Sequence, residues 1–139
     1  YASKSYLARN GQPTRLKELG NEYHLIGYIP DLVYAPELNY LDDLVPGLTP
    51  DIRSSSIIAQ HRLVAVGAGI GVLPCFIGDT DDTLTSIFPE STINRNFWLV
   101  THKDNRSLER IKAGKNWLMQ ITRQNAELLN PAVSATPVI

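Results

Sequence analysis

With one cysteine, Cys75, the chain can form no internal disulfide, and a reducing, cytoplasmic setting suits it. No stretch is apolar for long enough to cross a bilayer as a helix, so no membrane partner is expected. The opening "YASKSYLARNGQP" has no continuous apolar core and does not read as a secretory signal. Charge of neither sign dominates. The formal net charge is −1, which gives no overall pull toward nucleic acid or an acidic membrane. His24, His61 and His102 lie far apart without metal-type spacing, and no G-x-S-x-G elbow exists. Catalysis, a bound metal and a cofactor are therefore not expected. The histidines are expected to be structural or exposed. Cys75 is expected to be a packed thiol opening a short helix, and Asp79, Asp81 and Asp82 a solvated loop.

What is present suits one compact domain: 139 residues, 43% hydrophobic and 19% charged. The chain begins without Met and is expected to be a piece of a longer protein. "SKSYLARN" reads as a helix capped by Ser3 and ended by Gly11 and Pro13. "TRLKELGN" reads as a second, capped by Thr14 and stopped by Gly20. "YHLIGYI" is a buried strand, Tyr23 to Ile29, and "DIRSSS" another. Between them, "PDLVYAPELNYLDDLVPGLTP" holds prolines at 36, 46 and 50, which favour loop pieces around one short helix near Pro36–Leu44.

"SIIAQHRLVAVGAG" is a helix capped by Ser55 or Ser56, with Ile58, Leu63 and Val66 as its apolar stripe. "IGVLP" and "LTSIFPE" are short strands, and "RNFWLVTHKD" predicts a longer one over Asn96 to His102. The last helix spans Ser107 to about Leu129, with Leu108, Ile111, Leu118, Ile121 and Leu128 on its apolar side. The tail "NPAVSATPVI", residues 130–139, has the composition of a flexible end. Strands alternating with helices make this an α/β chain with a mostly parallel sheet flanked by helices.

The three alternate glycines of "AVGAGIGVLPCF", Gly67, Gly69 and Gly71, pose a choice. A dinucleotide loop runs strand, glycines, helix, so that phosphate meets a helix N-terminus. Here the helix comes first and the glycines follow its negative end. The spacing is G-x-G-x-G and no P-loop lysine follows, so nucleotide binding is not expected. Gly67 or Gly69 is expected instead to end the helix in a left-handed turn, and the missing side chains to let helix and strand cross closely.

"QHRLVAVGAGIGVLPCFIGD" resembles the helix–glycine–strand signature of the effector-binding region of LysR-type transcriptional regulators. In the same order, "ASKSYLARNGQPTRLKEL", "HLIGY", "DIRSSS" and "RNFWLVTHKDNRSLERIKAGKNWL" are similar to other parts of that region, from Ala2 to about Leu118. The resemblance implies a periplasmic-binding-protein-like fold. Residues 1–95 would form the second effector-binding subdomain, and residues 96–129 the strand and helix that return to the first. The family's winged helix-turn-helix has no counterpart in this stretch, so DNA contact is expected only through a domain outside it. The resemblance further implies a homo-oligomer.

"RSSS" lies between a strand and a helix N-terminus, where hydroxyls, free N–H groups and the positive end of the helix dipole meet. A carboxylate or another small polar effector suits that place, although capping alone needs only one serine. By resemblance, Tyr28, Ile29, Ser54, Ser55 and Gly71 would face a small, anionic effector held between two subdomains. The aromatic-rich "LVYAPELNYL" would wall that pocket or cover the core. A periplasmic-type solute-binding receptor is the alternative, since it shares the two-subdomain architecture. A small hydrolase using Cys75 or the serines is a third, and it lacks a base.

Overall fold

The computed structural model describes residues 1–32 and 38–131. The chain divides into two compact units, Tyr1–Asn94 and Arg95–Ile139. The first unit is built on a three-stranded parallel sheet of order β3-β2-β4, with β2 (Leu25–Gly27) between β3 (Ile52–Arg53) and β4 (Ile70–Gly71). A second, antiparallel pair joins β1 (Ala2–Ser3) to β5 (Leu84–Thr85). The observed class is thus mixed helix and strand with a parallel sheet. The expected strand at Tyr23–Ile29 is shorter, Leu25–Gly27, and β5 lies outside the parallel sheet.

Strand β2 is buried on both faces. Leu25 and Ile26 are 1% and 0% exposed and point, by the alternation of a strand, to opposite sides. Leu25 joins a core with Tyr6, Leu19, Leu41 and Ile70, and Ile26 joins one with Val64, Leu73 and Leu84.

Helix α1 (Lys4–Asn10) starts as its sequence indicates. The Ser3 hydroxyl accepts from the Tyr6 N–H, and Gly11, at φ 79°, ends it with a bond to the Leu7 carbonyl. The next segment differs from expectation. A 3₁₀ turn (Leu16–Glu18) leads into α2 (Leu19–Glu22), which runs through Gly20 and ends at Tyr23. Thr14 is not its cap. The Thr14 N–H and hydroxyl both donate to the Glu18 carboxylate, at 2.8 and 3.0 Å, and the Arg15 Nε donates to it at 2.9 Å. A side chain that reaches backwards has taken the role assigned to Thr14. The Thr14 N–H and then the Arg15 side chain push the Glu18 carboxyl down to about 2.

After a 3₁₀ turn (Pro30–Leu32), α3 covers Tyr40–Leu44. Pro36, where a helix was expected to begin, lies outside the described residues. Helix α4 covers Ile57–Ala65 and is capped by Ser56, whose hydroxyl accepts from the Ala59 N–H. Its buried face differs from the expected stripe. Gln60 and Val64 point inward, whereas Ile58 is exposed and Val66, already the C-cap, is 75% exposed. The rotation follows from Gly71. A Cβ there would come within 2.8 Å of Val64, so this glycine lets the Val64 side of α4 sit on the sheet.

The other two glycines of the signature act separately. Gly67 has φ 78° and supplies the left-handed turn that leaves α4. A Cβ on Gly69 would lie 2.5 Å from the His24 carbonyl oxygen, so Gly69 lets β4 enter beside β2. The short helix α5 (Cys75–Gly78) opens at Cys75 as the sequence indicates.

The second unit carries α6 (Glu109–Gln124) and α7 (Ala126–Leu129). The single helix expected over Ser107–Leu129 is interrupted at Asn125, which leaves the helical region at φ −111°, ψ 24°. The strand expected over Asn96–His102 is not formed. Phe97 and Trp98 are 89% and 82% exposed there, and a strand needs a partner for its N–H and C=O groups. Residues 132–139 of the expected flexible tail lie outside the described residues.

Replacing Gly69 by Ala should destabilise the chain by about 1–3 kcal/mol, because its new methyl meets fixed backbone. Gly67→Ala, which strains φ and crowds side-chain ends of Arg9, Ser3 and Ser5 at 3.0–3.2 Å but no backbone, should cost on the order of 1 kcal/mol. Urea denaturation of the two variants checks the order. Equal stability of Gly69→Ala and the parent chain would show that β2 and β4 can part.

Candidate functional site

The C-terminal ends of β2 and β3 and the N-terminus of α4 meet at one place. The Ser54 N–H donates to the Gly27 carbonyl at 3.0 Å, extending the pairing of the two strands by one residue. The Ser54 hydroxyl then accepts from the Ser56 N–H at 3.2 Å, and its carbonyl accepts from Gln60 Nε2 at 2.9 Å. Ser54 is thus held on three sides and turns the chain into α4. Ser55 is exposed, and its hydroxyl makes no hydrogen bond among the described residues. No acceptor among the described residues reaches the N–H groups of Ile57 and Ile58. Free N–H groups at a positive helix end favour an anion.

The other three sequence-predicted residues are placed as follows. Tyr28 lies just past β2, with its ring 6.0 Å from that of Tyr40 in an edge-on contact at 63°. Ile29 is half-buried and its carbonyl accepts from the Leu32 N–H at 3.0 Å. Gly71 is buried on β4. Its N–H donates to the Tyr1 carbonyl at 2.9 Å and its carbonyl accepts from the Tyr1 nitrogen at 2.7 Å, so its backbone groups are engaged within the chain. Tyr28, Ile29, Ser54 and Ser55 follow the ends of adjacent strands, and Gly71 pairs with Ile26 on the third.

Beside Tyr28 a pocket of about 150 Å³ opens between β2, α3 and the segment before β3. Ile26, Tyr28, Tyr40, Leu41, Gln60 and Val72 are among its walls. The sequence reading missed Gln60; Tyr40 belongs to the "LVYAPELNYL" stretch named there as a pocket wall or core cover. A signal existed for Gln60: it stands four residues before Val64 in an otherwise apolar turn, so a helix that buries Val64 buries Gln60 as well. A larger depression of about 520 Å³ is lined by Asn116, Met119, Gln120, Arg123 and Gln124, all from α6, and so has one wall.

In the acidic loop, Asp79 and Asp82 are exposed, as expected, and the half-buried Asp81 is tied down. Asp81 accepts from the Thr83 hydroxyl at 2.6 Å and the Thr83 N–H at 2.9 Å, and meets His61 Nε2 of α4 at 2.8 Å. The Thr83 hydroxyl and N–H, followed by His61, hold its carboxyl below the usual aspartate range. Asp79 accepts from the Tyr1 hydroxyl at 2.6 Å. Both contacts are structural, since neither faces the serine junction or the pocket.

No group of three or more His, Cys, Asp or Glu that could hold a metal occurs among the described residues. No helix among them is long and apolar enough to cross a membrane. The sequence model of a family described as "LysR substrate binding domain" matches residues 1–122. No curated protein and no solved structure matches the chain.

The Asp81 carboxyl titrates lower folded than unfolded, so its contribution is complete above about pH 3.9 and is lost as pH falls through the folded value. Asp81→Asn should therefore be less stable than the parent at pH 7, with the difference closing as pH falls through the folded carboxyl's lowered value. Thermal unfolding across that range measures it. A constant difference would show that the loss comes from packing and not from charge.

Proposed function

The chain belongs to the LysR substrate-binding domain family, and on that premise we propose that it is the ligand-sensing part of a LysR-type transcriptional regulator. Domains of this family are regulatory, not catalytic, and take a small-molecule effector. The family implies a periplasmic-binding-protein-like fold, with residues 1–95 as the second subdomain and residues 96–129 returning to the first. A small anionic effector bound between the subdomains would touch Tyr28, Ile29, Ser54, Ser55 and Gly71. The observation that carries this is the α4 N-terminus, where the Ser55 hydroxyl and the Ile57 and Ile58 N–H groups have no partner among the described residues. Gly71 would contribute through its lack of a side chain, because its backbone groups are engaged.

Such a domain does no chemistry. It acts by binding more tightly to one of two arrangements of the parent regulator, and its effect is limited to that difference in affinity. DNA contact would come from a domain outside residues 1–139, in a cytoplasmic homo-oligomer.

The test is inducer response in the intact regulator. Ser55→Ala, and more strongly Ser54→Ala with Ser55→Ala, should shift the inducer concentration for half-response upward by about tenfold while leaving DNA affinity unchanged, as loss of one hydrogen bond to a charged group predicts. An unchanged response in the double variant would remove the serine junction from the effector site.

The apolar side of α6 supports the oligomer. Trp117 is 61% exposed, with Leu118 and Ile121 also exposed on the same side. A patch of that kind is seldom left in water. Light scattering at rising concentration should show a second copy joining, and Leu118→Asp should return the mass to one chain. A single-chain mass at every concentration would overturn the oligomer proposal.

A further inference from the structure

We infer that Gln60 is the positioning residue of the serine junction: it touches no ligand, and it fixes the arch of chain on which Ser55 is presented. That role rests on the effector reading of the junction and names the side chain that holds it in shape.

Gln60 is 1% exposed and stands one helical turn before Val64, which is 0% exposed, on the face of α4 that meets the sheet. An aliphatic side chain would be buried there at no polar cost. An amide must instead find a partner as it leaves water. The partner is backbone. Gln60 Nε2 donates to the Ser54 carbonyl at 2.9 Å, and the Gln60 backbone N–H donates to the Ser56 carbonyl at 3.0 Å. One residue therefore grips the chain on both sides of Ser55.

The two gripped residues are also joined to the sheet and to each other. The Ser54 N–H donates to the Gly27 carbonyl at 3.0 Å, and the Ser56 N–H donates to the Ser54 hydroxyl at 3.2 Å. Ser55 between them is exposed. No hydrogen bond among the described residues reaches its N–H, its carbonyl or its hydroxyl. Its polar groups are thus placed by its neighbours and stay available to a ligand.

The Ser56 cap does a different job. Its hydroxyl accepts from the Ala59 N–H, a bond that starts a helix in any direction. The Gln60 amide is what ties the body of α4 to the carbonyl at the end of β3. Gly71 sets the rotation that makes this reach possible, since the same rotation that lays Val64 on the sheet lays Gln60 over the strand end. Without the amide, the Ser54 carbonyl loses its donor and must turn toward water, and the arch turns with it.

The experiment follows the full 139-residue chain by NMR, with inorganic sulfate as the anion probe. In the parent, a coupling across the hydrogen bond should connect Gln60 Nε2 to the Ser54 carbonyl carbon, and sulfate should give saturable amide shifts at Ser55, Ile57 and Ile58. Gln60→Met keeps the volume and removes the donor. It should move the Ser55 and Ser56 amide signals and weaken sulfate about tenfold, the factor of one lost hydrogen bond. The Leu25 and Val64 amides should keep the parent's exchange protection. If Gln60→Met does not fold, Gln60→Leu is the second apolar variant. Gln60→Glu is a conditional rescue: its carboxyl donates to Ser54 only when protonated, and burial raises its pKa. At acid pH its sulfate affinity, taken relative to the parent at the same pH so that His61 and Asp81 cancel, should rise above that of Gln60→Met. Relief of charge repulsion alone would raise it only to that level. A missing coupling in the parent overturns the role of Gln60. So do unmoved Ser55 and Ser56 signals in Gln60→Met, or an acid form of Gln60→Glu that binds no better than Gln60→Met. Absence of saturable sulfate shifts in the parent overturns the effector reading instead, and the coupling and the Ser55 and Ser56 signals then decide the role of Gln60 by themselves.

Discussion

Burial of strand β2 on both faces is the constraint on which the first unit depends. Two consecutive side chains, Leu25 and Ile26, enter two different cores, so neither face is free to slide over its neighbours. The backbone of β2 is equally committed. Leu25 donates its N–H to Asp51 Oδ2 at 2.8 Å, and Tyr6 Oη accepts from the adjoining His24 N–H at 3.0 Å. With β3 on one side and β4 on the other, the C-terminal end of β2 is the place where the sheet's polar groups run out. Tyr28, the serine junction and the pocket all lie around that end.

The glycines of the signature make this arrangement possible through approach distance. Gly69 admits the His24 carbonyl and Gly71 admits Val64, while Gly67 turns the chain between them. Each solves a local steric problem, and together they set the rotation of α4. That rotation carries Gln60 inward and leaves Ser55 outward. One helix thus presents an anion-favouring end to solvent and a neutral amide to an apolar pocket.

His61 and Asp81 hold the far side of the same helix. Their 2.8 Å contact joins α4 to the loop before β5, and Thr83 closes that loop on itself. A loop of three aspartates would repel itself in water. Here Asp81 and Asp79 are each engaged by a donor from elsewhere in the chain, and the Asp82 carbonyl accepts from Lys4 Nζ at 2.6 Å. The face of α4 opposite its solvent side is therefore fixed by polar contacts as well as by Val64.

What the sequence by itself determined is what short-range chemistry decides. Ser3 and Gly11 bound α1, Gly67 ends α4, Cys75 opens α5, and the junction after "DIRSSS" lies at a strand end and helix start. Each depends on a hydrogen bond or dihedral preference spanning a few residues, and the family signature is written in those same residues. What only the tertiary structure decided depends on distant partners. Glu18 took the donors of Thr14, Gln60 replaced Ile58 on the buried face, and the pocket drew residues from five segments. Residues 96–102 carry strand-forming side chains, but strand formation needs a second backbone to receive their hydrogen bonds. Periodicity states that a face is apolar; which neighbour it meets is set by the packing of the whole sheet.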